Sequence, residues 1–295
     1  MSTASEPSPP TLFCFGHGYT AGFLSRGLKA AGWRVLGTHR QADASQAMPA
    51  DDVATRIFDR AHPLSDARAL LAEATHLLIS VPPDEQGDPV LDVHGDDIAA
   101  ARDLRWIGYL STTGVYGDRA GGWVDEAAAL RPTGQRGRRR VAAEAQWLDL
   151  WRCYRAPVHV FRLAGIYGPG RNVLDAVRSG SARRIVKPGQ VFSRIHVADI
   201  ARVLGASMAN PAPGTIYNVC DDDPAAPAEV VAFACELLGV SPPPAVSIEQ
   251  AELSEMARSF YADNKRVSNR RIKEELGVSL LYPSYRDGLA ALLKA

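Results

Sequence analysis

Gly16-His17-Gly18-Tyr19-Thr20-Ala21 follows an apolar run, Thr11 to Phe15, and precedes an amphipathic stretch, so a strand passes through a turn into a helix. The spacing is G-x-G-x-x-A, with Gly22 next. Gly16 permits a tight turn, Gly18 lets the backbone approach a pyrophosphate, and the small Ala21 lets helix and strand pack closely. A diphosphate placed there meets the backbone amides of Gly18, Tyr19, Thr20 and Ala21 at the positive end of the helix dipole. The second apolar run ends Leu36-Gly37-Thr38-His39-Arg40. A site for NAD sets Asp or Glu at that point for the ribose 2′-hydroxyl, whereas Arg accommodates a 2′-phosphate. Together the glycine turn and Arg40 point to a bound NADP(H) in preference to NAD(H). An ordinary strand-to-helix turn and a solvated Arg40 are the competing readings. Asp59 closes the third run, where a carboxylate either accepts from an adenine amino group or forms a turn. The fourth run ends Ser80-Val81-Pro82-Pro83, with Val81 and Pro82 lining the dinucleotide on its way to the nicotinamide.

These residues need strands to carry them. Short apolar runs at Thr11 to Phe15, Arg34 to Thr38, Ala54 to Phe58, His76 to Val81, Arg105 to Ser111 and Val158 to Arg162 alternate with longer amphipathic stretches. Ala21 to Ala31, Ser65 to Glu73, Val90 to Arg102 and Arg138 to Tyr154 have helical spacing. Strand and helix in alternation predict an α/β fold with a doubly wound parallel sheet, whose ligands sit at the carboxyl ends of the strands. Beyond Arg162, glycines and prolines break the pattern, and Val191 to Val197 and Thr215 to Val219 read as two strands returning to the sheet. From Asp221 the chain reads as helical, with a Pro-rich connector at Ser241 to Ala245. The expected organisation is a disordered leader over residues 1–10, a dinucleotide-binding domain over 11–166 and 190–220, and a smaller, mixed but mainly helical lobe over 167–189 and 221–295.

The bulk composition narrows the partners. At 295 residues and 46% hydrophobic content the chain can bury a large core. Basic and acidic residues balance at 33 each, so no net field favours nucleic acid or an acidic membrane, and a small molecule is the expected partner. No apolar stretch approaches the roughly 20 residues of a membrane span. Cys14, Cys153, Cys220 and Cys235 lack the spacing of a zinc site, so no metal is expected, and free thiols fit a reducing cytoplasm.

Three further segments carry a resemblance. Tyr109-Leu110-Ser111-Thr112-Thr113-Gly114-Val115-Tyr116-Gly117-Asp118, Phe161-Arg162-Leu163-Ala164-Gly165-Ile166-Tyr167-Gly168-Pro169-Gly170 and Ser193-Arg194-Ile195-His196-Val197-Ala198-Asp199-Ile200-Ala201 occur in the order seen in the extended short-chain dehydrogenase/reductase family. The chain resembles that family, which holds nucleotide-sugar epimerases and dehydratases, from Thr11 to about Leu293. The resemblance implies a Rossmann domain, Ser111 among the cofactor contacts, and a Ser or Thr at the end of the fifth strand, here Thr112. It also implies a Tyr and a Lys in Y-x-x-x-K on the next helix, the Tyr shuttling a proton as hydride moves. Counted back from Ala142-Ala143-Glu144, those two places hold Arg136 and Arg140.

Arginine, with a pKa above about 12, cannot shuttle a proton near neutrality. Arg140 can still donate to a ribose and Arg136 can bind an anionic substrate group; the other reading is an Arg-rich, solvated helix start in a protein that has lost this chemistry. Thr113 and Gly114 stand where the dehydratases carry an acidic pair, and the substrate-contacting Asn of the sugar epimerases is missing near Gly165. The pattern is similar to the atypical branch of the family, in which the active-site Tyr is replaced. Tyr116 and Tyr167, in loops at the mouth of the expected cleft, and His196 beside Arg194 are the remaining proton carriers, each with a structural alternative. Asp199 reads as a helix-starting residue. Asn264-Lys265-Arg266 suits a carboxylate or phosphate, or forms a structural loop. Relatives that pair through the helix after Thr112 leave a homodimer open. The leading expectation is an NADP(H)-dependent oxidoreductase or epimerase/dehydratase-like enzyme with an unorthodox acid/base group. The alternative is a non-catalytic NADP(H)-binding redox sensor.

Overall fold

The computed structural model describes residues 9–40 and 53–294, and most of the expected leader lies outside them. The elements in chain order are β1 (Thr11–Phe15), α1 (Tyr19–Ala30), β2 (Arg34–His39), β3 (Ala54–Ile57), α2 (Ala67–Glu73), β4 (His76–Ile79), α3 (Pro89–Ala100) and β5 (Trp106–Thr112). There follow β6 (Trp123–Val124), α4 (Gln135–Tyr154), β7 (Val158–Leu163), β8 (Gly165–Tyr167), α5 (Val173–Arg178), β9 (Arg184–Val186), β10 (Arg194–His196), α6 (Val197–Ala209) and β11 (Ile216–Val219). The chain ends with α7 (Pro227–Leu238), β12 (Ala245–Ser247), α8 (Glu255–Ala262), β13 (Arg266–Val267), α9 (Arg270–Glu274) and α10 (Tyr285–Lys294). Seven strands form one parallel sheet in the order β11-β7-β5-β4-β1-β2-β3, the doubly wound α/β architecture that the alternating pattern predicts.

The chain divides into two compact units: Met1–Leu110, Ala143–Val160 and Ser207–Thr215 in one, Ser111–Ala142, Phe161–Ala206 and Ile216–Ala295 in the other. In the first, β1 and β4 are buried along their whole length, as a parallel strand covered by helices on both faces requires. Phe15 meets Phe13 and Phe58 edge-on at 5.1 and 5.0 Å. Asp88 is fully buried and fully used: Oδ1 accepts from Val90 N and Leu91 N to cap α3, and Oδ2 accepts from Trp147 Nε1 of α4 at 3.0 Å.

In the second unit, three two-stranded parallel ribbons, β10-β8, β12-β9 and β13-β6, accompany the helices. Tyr167, Leu174, Val230, Ala234, Tyr285 and Leu289 form its core between α5, α7 and α10. One expectation is corrected. Of the two late strands, β11 joins the large sheet, but β10 pairs with β8. Ala164 N donates to Val219 O, whereas Gly165 N turns to Ser193 O, so the chain leaves the sheet after β7 and offers its next ladder to β10. No helix among the described residues is long and apolar enough to cross a membrane.

Candidate functional site

In the first unit the Gly16–Ala21 turn is built as the sequence reading requires. Gly16 has φ +85°, and a Cβ there would stand 3.1 Å from Val81 Cγ2 and 3.2 Å from Val81 N, so only glycine lets the turn lie on the end of β4. Gly16 N donates to Thr38 Oγ1 at 2.9 Å and His17 N to Thr38 O at 2.6 Å, which stitches the turn to the end of β2. Gly37 is needed because a Cβ would come 2.7 Å from His17 Cβ, and the His17 ring reaches Ser25 Oγ at 2.9 Å. Gly18 is the N-cap of α1; among the described residues no side chain caps this end, no acid lies in the first turn, and a Cβ on Gly18 would meet no atom within 4 Å. Among the described residues the positive end of α1 thus carries no capping side chain and no acid in its first turn, and the space beside Gly18 is open, a fit for a diphosphate. Thr20 and Ala21 are buried beneath it, and Tyr19 packs edge-on against Phe23.

Arg40 is exposed directly after β2, and residues 41–52 lie outside the described part. Val81 is half-buried and Pro82 exposed after β4. Asp59 Oδ1 accepts from Ala61 N, His62 N and His62 Nδ1, at 3.0, 3.0 and 2.8 Å, so the geometry displays the turn-forming alternative. Burial works against this carboxylate, yet the His62 and amide donors outweigh it and hold its pKa below the usual range. Sequence reasoning missed Arg60, whose guanidinium grips Asp84 at 2.6 and 3.0 Å and Asp92 at 2.6 Å, joining the segments that follow β3 and β4. It also missed Thr38, although a hydroxyl two residues before Arg40 was visible.

In the second unit Ser111 is buried and Thr112 half-buried at the end of β5. Thr112 Oγ1 accepts from Gly114 N at 3.1 Å and caps a short 3-10 turn, Thr113–Tyr116. Two glycines seat that turn on the segment leading into α4: a Cβ on Gly117 (φ +68°) would fall 1.8 Å from Arg131 O, and one on Gly137 would lie 3.1 Å from Gly114 O. Arg131 N also donates to Val115 O at 3.2 Å. Arg136 is exposed and Arg140 half-buried on the first turns of α4. Thr112 is thus brought against the helix start that carries both arginines.

The two candidate tyrosines are not in open loops, which corrects that expectation. Tyr116 is fully buried; its Oη donates to Asn218 Oδ1 at 2.7 Å and accepts from Arg162 Nη1 at 2.9 Å. Burial pushes its pKa up to about 12, with Arg162 and Asn218 pulling the other way. Asn218 N donates in turn to Glu126 Oε1 at 2.8 Å, and Asn218 Nδ2 to Ser268 O at 3.2 Å, so the hydroxyl belongs to a buried polar network. Tyr167 ends β8, where burial and then Asp221 and Asp199 raise its pKa. His196 lies against Tyr167 and Tyr282, with ring centroids 5.2 and 4.2 Å apart, and burial lowers its pKa to about 4. Asp199 accepts from Leu281 N at 2.6 Å and Tyr282 N at 3.0 Å; besides standing in the first turn of α6 it pins a distant loop. Asn264-Lys265-Arg266 is tightly held: Asn264 N donates to Asp118 Oδ1 at 2.8 Å, and Asn264 O accepts from Arg119 N and Gly121 N at 2.9 Å each.

No protein-family model matches the chain. A solved structure of a functionally unknown conserved protein from Silicibacter pomeroyi DSS is 56% identical, covers 97% of this chain and 98% of its own, and superposes with a TM-score of 0.87. The chain belongs to that protein's family. A Methylobacillus flagellatus structure, provisionally described as an NAD-dependent epimerase/dehydratase, is 26% identical over 98% of each chain, with a TM-score of 0.74. The Rossmann-like α/β fold is therefore the one found among NAD-dependent epimerase/dehydratase proteins, as the three motifs implied. "Protein YeeZ" of Escherichia coli K12 is 28% identical over 285 residues, 91% of this chain and 94% of that protein.

Proposed function

We propose that the chain is an NADP(H)-binding, epimerase/dehydratase-like oxidoreductase of the atypical short-chain dehydrogenase/reductase branch, acting on a small molecule with a carbonyl or hydroxyl group. The observation that carries this is the uncapped N-terminus of α1 behind Gly16 and Gly18, with Arg40 where an acid would select NAD. The name of the Methylobacillus relative supports a nicotinamide dinucleotide as the cofactor class. Gly16, Gly18, Tyr19, Thr20 and Ala21 hold the diphosphate, Arg40 the 2′-phosphate, and Val81, Pro82 and Ser111 line the remainder. When bound, the nicotinamide supplies hydride exchange at C4. Thr112 orients the substrate oxygen, Arg140 donates to a ribose, and Arg136 takes an anionic substrate group.

Calorimetry with NADPH and NADH tests the reading. NADPH is expected to bind at least about tenfold more tightly, about 1.4 kcal/mol, and Arg40→Ala to erase that preference while sparing NADH. Absence of binding by either nucleotide overturns it. Arginine at both 136 and 140 also favours the redox-sensor reading, and tight NADPH binding with no turnover on a carbonyl panel would select it.

A further inference from the structure

We propose that a groove in the second unit, between β6 and α9, binds a small organic cation, an ammonium or guanidinium on a short apolar body, with the charge resting on the Trp123 indole. The groove has a volume of about 460 Å³, within the range of small-molecule sites, and Trp123, Asp125, Glu126, Arg271, Glu274 and Glu275 are among the residues that line it. β6 and β13 run parallel, with Trp123 beside Arg266 and Val124 beside Val267. Successive strand residues point to opposite faces, and here Val124 and Val267 are 4% and 2% exposed whereas Trp123 is 63% exposed. An indole left that far outside the core gains little from folding, and it lines the groove instead. The walls are fixed. Ser268 N donates to Val124 O at 2.9 Å, Asn269 Nδ2 donates to Cys220 O at 2.9 Å and Asp222 Oδ1 at 2.6 Å, and Ile272 of α9 is fully buried.

The charge of the lining decides the sign of the ligand. Asp125, Glu126, Glu274 and Glu275 outnumber Arg270 and Arg271. Both arginines are matched one turn further on, Arg270 Nε to Glu274 Oε2 at 3.5 Å and Arg271 Nε to Glu275 Oε1 at 3.1 Å, and Arg271 Nη1 also donates to Ile216 O at 3.0 Å. Asp125 and Glu126 are the excess. Backbone amides orient them: Ala127 N donates to Asp125 Oδ1 at 3.0 Å and Asn218 N to Glu126 Oε1 at 2.8 Å. Such donors fix a carboxylate without cancelling its charge. A cation in the groove therefore gains from the carboxylates and from the indole face together, while an anion meets net repulsion. Ala127 and Ala128 add apolar wall for the body that carries the charge. None of these residues is assigned to the dinucleotide or stands with Thr112, Arg136 and Arg140, so the inference is independent of the proposed activity.

The full-length protein labelled with ¹⁵N at its tryptophan indoles, Trp33, Trp106, Trp123, Trp147 and Trp151, gives a direct readout. The indole signal absent from Trp123→Phe identifies Trp123, and the remaining signals report that the variant folds. Agmatine, which carries a guanidinium and an ammonium on a butyl chain, is expected to shift the Trp123 signal saturably at fixed ionic strength, and glutarate, an anion of similar length, to leave it in place. By calorimetry, Trp123→Ala is expected to weaken agmatine binding about tenfold. Asp125→Asn keeps an oxygen for Ala127 N and is expected to weaken it about threefold. Arg270→Ala removes positive charge from the lining and is expected to tighten it by a similar factor. Absence of a saturable shift with agmatine, a preference for glutarate, unaltered affinity in Trp123→Ala, or weaker agmatine binding in Arg270→Ala overturns the proposal.

Discussion

Tyr116 illustrates how one residue changes meaning with its partners. In sequence it follows Thr112 closely enough to be a proton carrier, and a tyrosine is the group such a site lacks. Its hydroxyl instead donates to Asn218 and accepts from Arg162 inside the second unit, with burial raising its pKa to about 12. A group so held stabilises the fold, and neutral pH leaves it protonated. Tyr116→Phe should leave Asn218 Oδ1 and Arg162 Nη1 short of a partner and cost about 1–3 kcal/mol, read by urea unfolding. A loss confined to turnover, with stability intact, would return Tyr116 to the chemistry. The Gly16 and Gly18 turn was legible from spacing because it depends on the local backbone. Lys265 was visible only as part of a basic and amide stretch, since its ion pair is with Asp263, which Thr133 holds from far away in the chain.

At the scale of elements, the strand and helix alternation read from apolar periodicity recovered β1 to β5, β7 and α1 to α4 to within a few residues. Buried parallel strands are continuously apolar and their helices amphipathic, so both leave a local record. Pairing leaves none: β10 reads as a strand as β11 does but finds β8, because Gly165 directs its amide to Ser193 rather than along the sheet. The junction between the Thr112 turn and α4 is likewise a matter of close approach. Gly117→Ala would need a side chain at φ +68° and a Cβ 1.8 Å from Arg131 O. The left-handed backbone alone costs about 1–2 kcal/mol, and the displaced Arg131 adds to it. A loss above about 2 kcal/mol is expected in thermal unfolding, with NADPH affinity retained; an unchanged melting temperature would show that the turn shifts freely.

Over the whole molecule, buried histidines set a pH dependence. His76, His159 and His196 each have a pKa lowered by burial to about 4, below the ordinary 6.5. His159 must be neutral, because its Nε2 accepts from Ala212 N at 2.9 Å while Nδ1 meets Ile107 O at 3.3 Å. Unfolding lets these rings take up protons, so their contribution is complete above about 6.5 and is lost as pH falls toward 4. Asp221, raised by burial to about 8, acts in the opposite sense and favours folding most at low pH, its contribution fading as pH rises toward 8. His159→Gln is therefore expected to flatten the fall in stability between pH 6.5 and 4, measured by denaturant midpoints, even if it lowers stability at pH 7. An unchanged slope would mean that His159 is not among the groups titrating.

By itself the amino-acid order settled the doubly wound class and the Gly16–Ala21 turn. These are properties of local spacing, which a linear chain displays directly. Tertiary structure alone decided that Tyr116 is a buried strut, that Asp199 ties down Leu281 and Tyr282, and that Lys265 is withdrawn from water beside Asp263. Burial and charge pairing come from residues distant in sequence, and only the folded chain brings them within hydrogen-bonding reach.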